Sequence, residues 1–476
     1  MRARNEVSSV QHRLPDELWT ACWEYLPFAD RVNVSQVGAQ WRKIAVACPR
    51  LWCDLEFNAL RLYEGGDAED QRTIDSSSLI ATAIKRSMAL PLSVTASIKL
   101  LESGETIFSL AEILKRDVDR LQHLRVTTQD PASLCWILNE LRCLPALRSL
   151  SFIVTGFDFK SRDLPYIELL NIFGEASEMP QLEILDTAHR IFGWSNKLDR
   201  LLNLTRLSIG VNHQQDICHI FQTCTRLDVV TLGLRMYDAT LHRGAKIVDQ
   251  WTPSARKLSF FEMRDIPYTL TRDDPGFQNW DVLREPRLPN ISLHFSPDII
   301  DEEFGVPLSL DALTIFGDLK GPLVSLHLEH TDTDTDTVIS ATTRLEHGEN
   351  AKSELQRTLS YKRLRRETNA DLVFKGLLDR HISPTQVCEL HVNIKLEHAW
   401  EPMVILRGGR LPAVQRFVLD VRGSRSAIAA RDVPWKEIIY GIPQVVLTVH
   451  DGMGSRTEQT TLANVADLET RLRLLD

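Results

Sequence analysis

The chain has 476 residues, of which 43% are apolar and 25% are charged, so it is long enough for two or three globular domains with a large core. Its 55 basic and 64 acidic side chains are interleaved and give a net charge of -9. The chain therefore has no concentrated basic surface of the kind that binds the phosphate backbone of nucleic acid. No apolar run reaches the roughly 18 residues of a membrane span, and none follows the charged N-terminus as in a secretory signal. We expect a cytoplasmic and/or nuclear protein without nucleic acid or membrane partners.

The eight cysteines are scattered along the chain. They are Cys22, Cys48, Cys53, Cys135, Cys143, Cys218, Cys224 and Cys388. Most of them lie inside apolar stretches, as reduced core thiols do in the cytosol or nucleus, and we therefore expect no disulfide.

Residues 12–57 have the pattern of three short helices, of which the first lies in "LPDELWTACWEYL". Pro15 suits a first helical position, and the acidic Asp16 and Glu17 complement the positive end of the helix dipole. Two apolar stripes then run side by side along this helix. They consist of Leu18, Cys22 and Tyr25, and of Trp19, Trp23 and Leu26. Together they make an apolar face wider than one small core requires, which indicates a surface for a partner.

A second helix is predicted in "FADRVNVSQVGAQ", after Pro27 has ended the first, and a third in "WRKIAVACPRLW". In the third helix the apolar positions fall at helical spacing before Pro49 stops it. They are Trp41, Ile44, Ala45 and Cys48. Trp52 is expected to fold back onto this group. Three helices in about forty residues lie near the lower limit of what folds alone, so a partner is expected to complete their core.

The whole segment, "LPDELWTACWEYLPFADRVNVSQVGAQWRKIAVACPRLW", closely resembles an F-box. The family pattern is Leu-Pro-x-Glu-Leu/Ile, then a Leu, an Asp-Arg second helix, a Ser-x-Val and a Trp-Arg-x-Ile-Ala third helix. The matching residues are Leu14, Pro15, Glu17, Leu18, Leu26, Asp30, Arg31, Ser35, Val37, Trp41, Arg42, Ile44, Ala45, Pro49, Leu51 and Trp52. One position departs from it, because Gly38 stands where the family usually has Cys, and glycine favours a looser start of the third helix.

The resemblance implies that these helices dock on a Skp-type adaptor, which joins them to the cullin and RING subunits of an SCF ubiquitin ligase. The residues implied to bind the adaptor are Leu14, Pro15, Glu17, Leu18, Leu26, Val37 and Trp41. The alternative interpretation is that the aromatic residues only hold a small helical subdomain against the rest of the chain.

After a polar linker at 58–78, residues 79–476 contain a series of phrases of the form Leu-x-x-Leu-x-apolar. The clearest are "LQHLRV" at 121, "LRSLSF" at 147, "LEILDT" at 182, "LTRLSI" at 204 and "LDVVTL" at 227, with looser relatives in "ARKLSF" at 255, "LDALTI" at 310, "LVSLHL" at 323, "VCELHV" at 387 and "VQRFVL" at 414. Leu185, Leu207 and Val230 hold matching positions 22 and 23 residues apart, which is a leucine-rich-repeat period. Each phrase predicts a short strand whose alternate side chains enter the core. The predicted fold class is therefore α/β, a three-helix F-box followed by a degenerate leucine-rich-repeat solenoid, and the chain resembles fungal F-box proteins of this kind.

One segment, at about 329–352, interrupts the series. "EHTDTDTDTVISATTRLEHGEN" alternates Asp and Thr without apolar periodicity, so it is predicted to be an exposed loop or insertion. A phosphorylation site and a calcium loop are the functional alternatives, but the Gly and Glu that the calcium pattern requires do not follow in register. The next stretch, "ENAKSELQRTLSYKRLRRETNADLVFKGLLDRH", predicts one or two helices, with "KRLRR" at 362 as a solvated helix face rather than a nuclear signal.

The sequence contains no catalytic constellation: it has no phosphate loop, no Gly-x-Ser-x-Gly elbow, no His-Glu-x-x-His and no Cys-x-x-Cys pair. "HQQDICHIFQTC" gathers four metal-binding residue types at spacings that match no structural zinc motif. They are His213, Cys218, His219 and Cys224. We therefore expect no enzymatic activity, no metal and no cofactor. An F-box subunit contributes proximity and orientation, while its partner enzymes transfer the ubiquitin.

The favoured hypothesis is the substrate-recognition subunit of an SCF-type ligase, and the alternative is a non-catalytic scaffold or interaction protein that does not drive ubiquitination. In a repeat solenoid the residues that alternate with the buried ones line the concave side, where a protein substrate binds. In the clearest phrases they are Ser149, Ser151, Arg206, Ser208, Val229 and Thr231. Their mixed polarity favours a protein partner.

Overall fold

Three short helices begin the described part of the chain, as predicted. They are α1 (Asp16–Glu24), α2 (Phe28–Val37) and α3 (Ala39–Ala47), and a 3-10 helix (Pro49–Trp52) follows them. Pro15 and Pro27 directly precede the first two helices. Proline fixes the backbone angle φ near its helical value, and its missing N–H costs nothing at a helix start. The helix boundaries predicted at these prolines are confirmed.

The structure is a computed structural model. It describes residues 14–58, 76–98, 104–129, 131–141, 143–155, 167–168, 179–187, 192–193, 201–211, 214–234, 258–267, 288–296, 315–316, 319, 324–331, 336–347, 351–361, 377, 382–394, 413–422, 444–450, 457–462 and 465–473. These residues have a mixed α/β structure dominated by parallel strands. The chain divides into two units. Unit 1 comprises Met1–Gly210 and Thr223–Arg226, and unit 2 comprises Val211–Gln222 and Leu227–Asp476.

Unit 1 is built on parallel strands with helices between the first four of them. Its strands are β1 (Asp54–Asn58), β2 (Leu92–Ile98), β3 (Leu121–Thr128), β4 (Ser149–Val154), β5 (Ile167–Glu168), β6 (Ile184–Asp186), β7 (Phe192–Gly193) and β8 (Arg206–Val211). Its further helices are α4 (Ser76–Arg86), α5 (Gly104–Lys115) and α6 (Pro131–Leu141). The strand order is β1-β2-β3-β4-β6-β8, and β7 pairs with both β5 and β8.

The repeated phrases place their leucines on the buried face of this sheet, because successive side chains of a strand point to opposite sides. Leu185 of β6 pairs with Leu150 of β4 and with Leu207 of β8, and all three side chains are fully buried. Nine of the ten phrases form or lead into strands, which confirms their predicted strand character. The tenth, "LDALTI" at 310, lies outside the described residues except for Ile315, which belongs to a short 3-10 segment.

Unit 2 also contains a sheet. Its strands are β9 (Val229–Leu234), β10 (Phe260–Pro267), β11 (Asn290–Ser296), β12 (Val324–Thr331), β13 (Asp336–His347), β14 (Ala351–Tyr361), β15 (Val387–Ile394), β16 (Arg416–Arg422), β17 (Gln444–His450) and β18 (Thr457–Leu462). Helices α7 (Gln214–Thr223) and α8 (Val465–Arg473) stand at the two ends of this series in the chain. The strand order is β9-β10-β11-β14-β13-β12-β15-β16-β17-β18, and all strands run in one direction except β13 and β18.

Strands β12, β13 and β14 form an antiparallel meander inserted between β11 and β15. The predictions of an exposed loop in "EHTDTDTDTVISATTRLEHGEN" and of a helix at its C-terminal side are therefore wrong for 336–347 and 351–361. The density of β-branched Thr, Val and Ile in the first segment suits a strand, and this preference outweighs the absence of apolar alternation. β13 pairs with its two neighbours in the chain, whereas β14 also pairs with β11, about sixty residues earlier, which no local pattern reveals.

The sequence of β14 fits a helix as well as a strand, and the buried Arg357 shows which of the two forms. Leu355 and Leu359 are four residues apart, which fits a helix, but they also flank Arg357 at the spacing of a strand. The Arg357 side chain is fully buried, and its guanidinium donates to the carbonyl oxygens of Leu288 at 2.8 Å and Ile315 at 3.2 Å. A buried arginine is stable only with such acceptors, and these lie far away in the chain.

Most of the predicted linker, residues 59–75, and the "KRLRR" segment at 362 lie outside the described residues. The predicted domain boundaries at 57, 78 and about 329–352 therefore stay predictions. Among the helices that the structure describes, none is both long enough and apolar enough to cross a membrane.

Candidate functional site

The interior of the three-helix module is a cluster of three tryptophans. The ring centroid of Trp19 lies 5.9 Å from that of Trp23 and 5.0 Å from that of Trp41, and the rings of Trp23 and Trp41 are 5.3 Å apart. Tilted rings at these distances are a favourable aromatic arrangement. Of the two stripes predicted on α1, the one with Trp19 and Trp23 therefore supplies the core of the module.

Arg31 of α2 fixes this module to the first strand of the sheet. Its side chain is buried, Nη1 donates to the carbonyl oxygen of Leu51 at 2.9 Å, and Nη2 donates to that of Asp54 at 2.8 Å. Burial lowers the pKa of Arg31 below its ordinary value, against the opposing charges of Asp54 and Glu56. The two carbonyl acceptors compensate for the lost hydration, so Arg31 joins α2 to β1 through bonds that few other side chains can replace.

Trp52 adds to this attachment, as predicted. Its side chain is 1% exposed, and its indole N–H donates to the carbonyl oxygen of Ala45 at 2.8 Å. The guanidinium of Arg86 lies 4.6 Å from the Trp52 ring, which is a cation–π distance. Trp52 therefore ties α3 and α4 together.

The other stripe of α1 is exposed. Leu18 is 51% exposed, Tyr25 is 90% exposed, and Cys22 between them is also exposed. With the exposed Leu14, these residues are referred to below as the exposed stripe. Of the seven large apolar side chains that are exposed in the described residues, five lie between residues 14 and 46. They are Leu14, Leu18, Tyr25, Val37 and Val46, and the other two are Met88 and Leu202.

Five of the seven predicted adaptor-binding residues are exposed. They are Leu14, Pro15, Glu17, Leu18 and Val37. Leu26 is half-buried, and so is Trp41, whose ring packs against those of Trp19 and Trp23. Trp41 therefore belongs to the packing of the module, whereas Leu18 is available to a partner.

Four of the six predicted substrate-binding residues share one face of the sheet in unit 1. They are Ser149 and Ser151 of β4 and Arg206 and Ser208 of β8. Strand β6 lies between β4 and β8, and its residues pair in register with these four. Arg206 is exposed and the three serines are half-buried. The row also includes the exposed Arg125 of β3, opposite Ser151, which the alternation of "LQHLRV" could have identified.

The other two predicted residues, Val229 and Thr231, lie on β9 in the sheet of unit 2, where both are half-buried. The hydroxyl of Thr231 donates to Oε2 of Glu262 on β10 at 3.0 Å. This hydroxyl is therefore engaged inside the protein, which makes Thr231 part of a polar network.

Glu262 is the centre of that network, which the sequence analysis missed. Its carboxylate lies 3.0 Å from Nη2 of Arg264 and 2.9 Å from Nε2 of His294. Burial by itself raises the pKa of Glu262, but the hydrogen bonds and charges of His294 and Arg264 outweigh it and lower the pKa to about 2. The Glu262 side chain is only 10% exposed, so its charge is balanced from within the protein.

A second network, also missed, spans β12 and β15 to β17. Nε2 of His391 lies 2.7 Å from Oδ2 of Asp420, and the His391 ring stacks on that of His327 with centroids 4.2 Å apart. Burial by itself raises the pKa of Asp420, but hydrogen bonds from His391 and Thr448 help to lower it below its ordinary value. The signal in the sequence is period-two alternation, since "CELHVN" and "RFVLDV" place these polar residues between buried apolar ones.

Cys224 of "HQQDICHIFQTC" is a core thiol. It is fully buried, it donates to the carbonyl oxygen of Leu201 at 3.5 Å, and burial raises its pKa to about 12. A thiol with so high a pKa is a poor metal ligand, because metals bind the thiolate. His213 and the side chain of Cys218 lie outside the described residues. Within the part of the chain that the structure describes, no three His, Cys, Asp or Glu side chains are arranged to hold a metal ion.

Neither the scan against protein-family models nor the search of curated proteins found a match.

Proposed function

We propose that this chain is the substrate-recognition subunit of an SCF-type E3 ubiquitin ligase. In this function the exposed stripe docks on a Skp-type adaptor, which joins the chain to cullin and RING subunits. The observation that carries the proposal is the concentration of exposed apolar side chains on a small module whose sequence resembles an F-box. Such a concentration is typical of protein–protein interfaces.

The exposed stripe has the physical character of an interface core. Apolar surface gains about 25 cal/mol for each Å² that a partner removes from water, and large side chains near the centre contribute most of the affinity. Leu18 and Tyr25 present such surface, and the acidic Asp16 and Glu17 on the same helix are exposed as well. This pattern of apolar centre and charged rim supports docking of a partner on α1.

The one departure from the F-box pattern does not weaken the proposal. Gly38 has φ -164° and ψ 167°, an extended conformation that any residue adopts. A Cβ at this position would meet no atom within 4 Å. The Cys that the family usually has there would fit without strain, and α3 begins directly after Gly38 despite the glycine.

The attachment of the module to the sheet suits a receptor subunit. Arg31 and Trp52 join the three helices to β1 and α4. A ligase receptor acts by holding its substrate in a fixed position relative to the transfer enzymes, so a firm connection between docking module and sheet favours ubiquitin transfer.

We further propose that the parallel strands are degenerate leucine-rich repeats, and that their polar sheet face binds the substrate protein. The support is the stack of buried leucines in register, Leu150, Leu185 and Leu207, with polar residues alternating between them. The row on this face combines Arg125 and Arg206 with serines, and mixed polarity of this kind suits a protein surface.

Replacing Leu18 with Ala is expected to weaken the binding of a purified Skp-type adaptor by about 30-fold, because truncation of a central aliphatic anchor typically costs about 2 kcal/mol. Since the Leu18 side chain is half exposed, the substitution leaves the tryptophan cluster in place and the module folded. Isothermal titration calorimetry of the full chain with the adaptor measures the change in Kd.

Leu202→Ala is the matched control. Leu202 is 54% exposed, nearly the same as Leu18, but it lies outside the helical module. This variant is expected to bind the adaptor as the wild type does. The docking proposal fails if the intact, folded chain gives no measurable heat with the adaptor, or if the two variants lose the same affinity.

The double variant Ser149→Glu and Ser208→Glu is expected to abolish substrate capture while folding and adaptor binding stay intact. Both serines are half-buried and alternate with the buried leucines, so the two carboxylates change the charge of the opposite face of the sheet without entering the core. Thr231 is left unchanged because a carboxylate there would stand against Glu262. Affinity purification with mass spectrometry identifies the substrate, and a pull-down with the purified substrate measures its capture.

Ser383→Glu and Gln415→Glu, at two exposed positions of unit 2, form the control pair, and the variant that carries them is expected to capture the substrate normally. Capture at the wild-type level by the serine variant would mean that recognition lies elsewhere. The alternative function is a scaffold that does not drive ubiquitination. It would be identified if the chain binds both the adaptor and the captured protein but supports no ubiquitin transfer in a reconstituted ligase.

A further inference from the structure

The sheet of unit 1 carries a row of side chains in which charged groups and hydroxyl groups alternate from strand to strand. Each residue of this row lies opposite the next one in the register of β1, β2, β3, β4, β6 and β8. In that order the residues are Glu56, Thr95, Arg125, Ser151, Asp186 and Ser208, which are called the alternating row below. The charges therefore lie on every second strand, and their signs are negative, positive and negative.

The three charged side chains of the alternating row reach the solvent. Glu56, Arg125 and Asp186 are exposed, and so is Thr95 between the first two of them. Glu56 accepts one long hydrogen bond, from the backbone N–H of Phe28 at 3.5 Å. Among the described residues, neither Arg125 nor Asp186 has an opposite charge within ion-pair distance. The charges of the row are therefore available to a partner.

The neighbouring rows on this face of the sheet keep the same distribution of charge. On one side, the exposed Asp54 adjoins Glu56 along β1, and the exposed His123 adjoins Arg125 along β3. Arg206 lies in the same neighbouring row at its far end, on β8. On the other side, the described side chains of β2, β3 and β4 are uncharged, namely Ser97, Thr127 and Ile153. A partner that follows the alternating row thus meets an acidic zone at β1 and a basic zone at β3.

The spacing of the three charges matches that of a polyproline II helix. Neighbouring strands lie about 4.8 Å apart, so charges on every second strand are about 9.6 Å apart. A polyproline II helix has three residues per turn and rises about 3.1 Å per residue, so every third side chain lies on one side at intervals of about 9.3 Å. Over two intervals the mismatch is only about 0.6 Å.

Other regular conformations of a bound chain fit the charges less well. On one side of a β-strand the side chains repeat every two residues, at about 6.7 Å, which does not match about 9.6 Å. Two turns of an α-helix advance about 10.8 Å, so the third charge would be about 2.4 Å out of register. The spacing therefore favours the polyproline II conformation.

The hydroxyl groups between the charges suit the backbone of such a chain. A polyproline II helix makes no internal hydrogen bonds, so its carbonyl oxygens need donors from outside. Thr95 and Ser151 lie on the strands between the three charges, and each carries an O–H that can donate. The alternating row thus offers charges for side chains and donors for the main chain of one bound segment.

We propose that the alternating row binds a substrate segment in the polyproline II conformation, with a basic, an acidic and again a basic side chain at every third position. The basic side chains lie against Glu56 and Asp186, and the acidic one lies against Arg125. This pattern reads the same in both chain directions. The inference rests on the proposed function only in calling the partner a substrate, since the binding itself involves neither the adaptor nor ubiquitin transfer.

Fluorescence anisotropy of labelled peptides, titrated with the full chain at low ionic strength, tests this inference. The probe is Gly-Lys-Pro-Pro-Glu-Pro-Pro-Lys-Gly, whose prolines favour the polyproline II conformation. The control peptide, Gly-Lys-Pro-Pro-Lys-Pro-Pro-Glu-Gly, has the same composition and net charge, but in either direction it places two like charges against the row. We expect the probe to bind with a Kd of about 0.3 mM or tighter, and the control peptide at least about tenfold more weakly.

Arg125→Glu reverses the central charge of the row and is expected to weaken binding of the probe at least about tenfold. The same variant should bind Gly-Lys-Pro-Pro-Lys-Pro-Pro-Lys-Gly at least about tenfold more tightly than the wild type does, because the central lysine then meets a carboxylate. Arg116→Glu is the matched control, since Arg116 is an exposed arginine of unit 1 that follows α5 and lies on no strand. It changes the net charge equally and is expected to bind the probe as the wild type does.

Equal affinity of the wild-type chain for the probe and the control peptide would overturn the inference, and so would an unchanged anisotropy of the probe. Equal weakening by Arg116→Glu and Arg125→Glu would overturn it as well, because only the net charge would then matter. The comparison of the two peptides needs no substitution, so it decides the matter even if a variant does not fold. Calorimetry measures adaptor binding separately, so failure of the peptide test and failure of the docking proposal are distinguishable.

Discussion

Trp52→Ala is expected to lower the free energy of unfolding of unit 1 by about 4 kcal/mol. The Trp52 side chain is 1% exposed, so its removal leaves a large cavity between the helical module and the sheet. The carbonyl oxygen of Ala45 also loses its donor, and Arg86 loses the ring that its guanidinium covers. Urea unfolding, followed by the fluorescence of the remaining tryptophans, measures the change.

Trp52→Phe separates the two contributions. Phenylalanine keeps much of the apolar volume but has no N–H for Ala45, so the expected loss is about 2 kcal/mol. A loss below about 1 kcal/mol for Trp52→Ala would contradict the role of Trp52 as the anchor of the module. If the transition of the alanine variant splits in two, Trp52 is what makes the three helices unfold together with the sheet.

The three helices could be predicted because their boundaries are set by local chemistry. Pro15, Pro27 and Pro49 mark helix starts or ends through the geometry of their own rings, without help from distant residues. Between these prolines, the apolar residues recur at the spacing of a helix. The strands of the repeated phrases were predictable for the same reason. Alternation over six residues reports which face is buried, as Leu150 and Leu207 show.

The meander could not be predicted, because its two outer strands, β12 and β14, are held in the sheet by strands that are distant in sequence. β14 pairs with β11, and Arg357 is satisfied by the carbonyl oxygens of Leu288 and Ile315. In the sequence alone, Leu355 and Leu359 fit a helix as well as a strand, and no local feature marks a buried arginine between them.

In the candidate site, too, local patterns predicted some features, and others depend on residues that are distant in sequence. Sequence periodicity identified both stripes of α1 but not which of them faces inward, since that depends on Trp41, which lies in another helix. Likewise, Thr231 was placed on a polar face by alternation, but its bond to Glu262 joins residues 31 positions apart. Alternation predicts the face on which a side chain lies, and only the fold decides what it meets there.

Glu262→Gln is expected to lower the free energy of unfolding of unit 2 by about 2 kcal/mol at neutral pH. The carboxylate accepts from Thr231, Arg264 and His294, and a neutral amide cannot balance the charge of Arg264. The full change of the Glu262 pKa, from 4.5 to about 2, corresponds to a free energy larger than this expected loss. The measured loss is smaller because Arg264 and His294 are partly exposed and solvent screens their charges.

The pH dependence of this loss separates a lost charge from lost packing. Because the pKa of Glu262 is lower in the folded protein, about 2, than in the unfolded chain, its charged form stabilises the fold above about pH 4.5. That contribution disappears as the pH falls towards about 2, whereas glutamine does not titrate. The difference between wild type and variant, from urea unfolding at a series of pH values, should be constant above about pH 5 and shrink below it.

Glu389→Gln is the matched control, because Glu389 pairs with Arg416 at 2.8 Å but its side chain is 35% exposed. Exposed ion pairs contribute little, so this variant is expected to change stability by less than about 0.5 kcal/mol at any pH. If Glu262→Gln loses as much stability at about pH 3 as at about pH 7, the charge of Glu262 is not what stabilises the fold. If the loss shrinks as expected, the Thr231 hydroxyl belongs to a network whose charges already balance, and a charge introduced at Thr231 would disturb folding before it could disturb a partner.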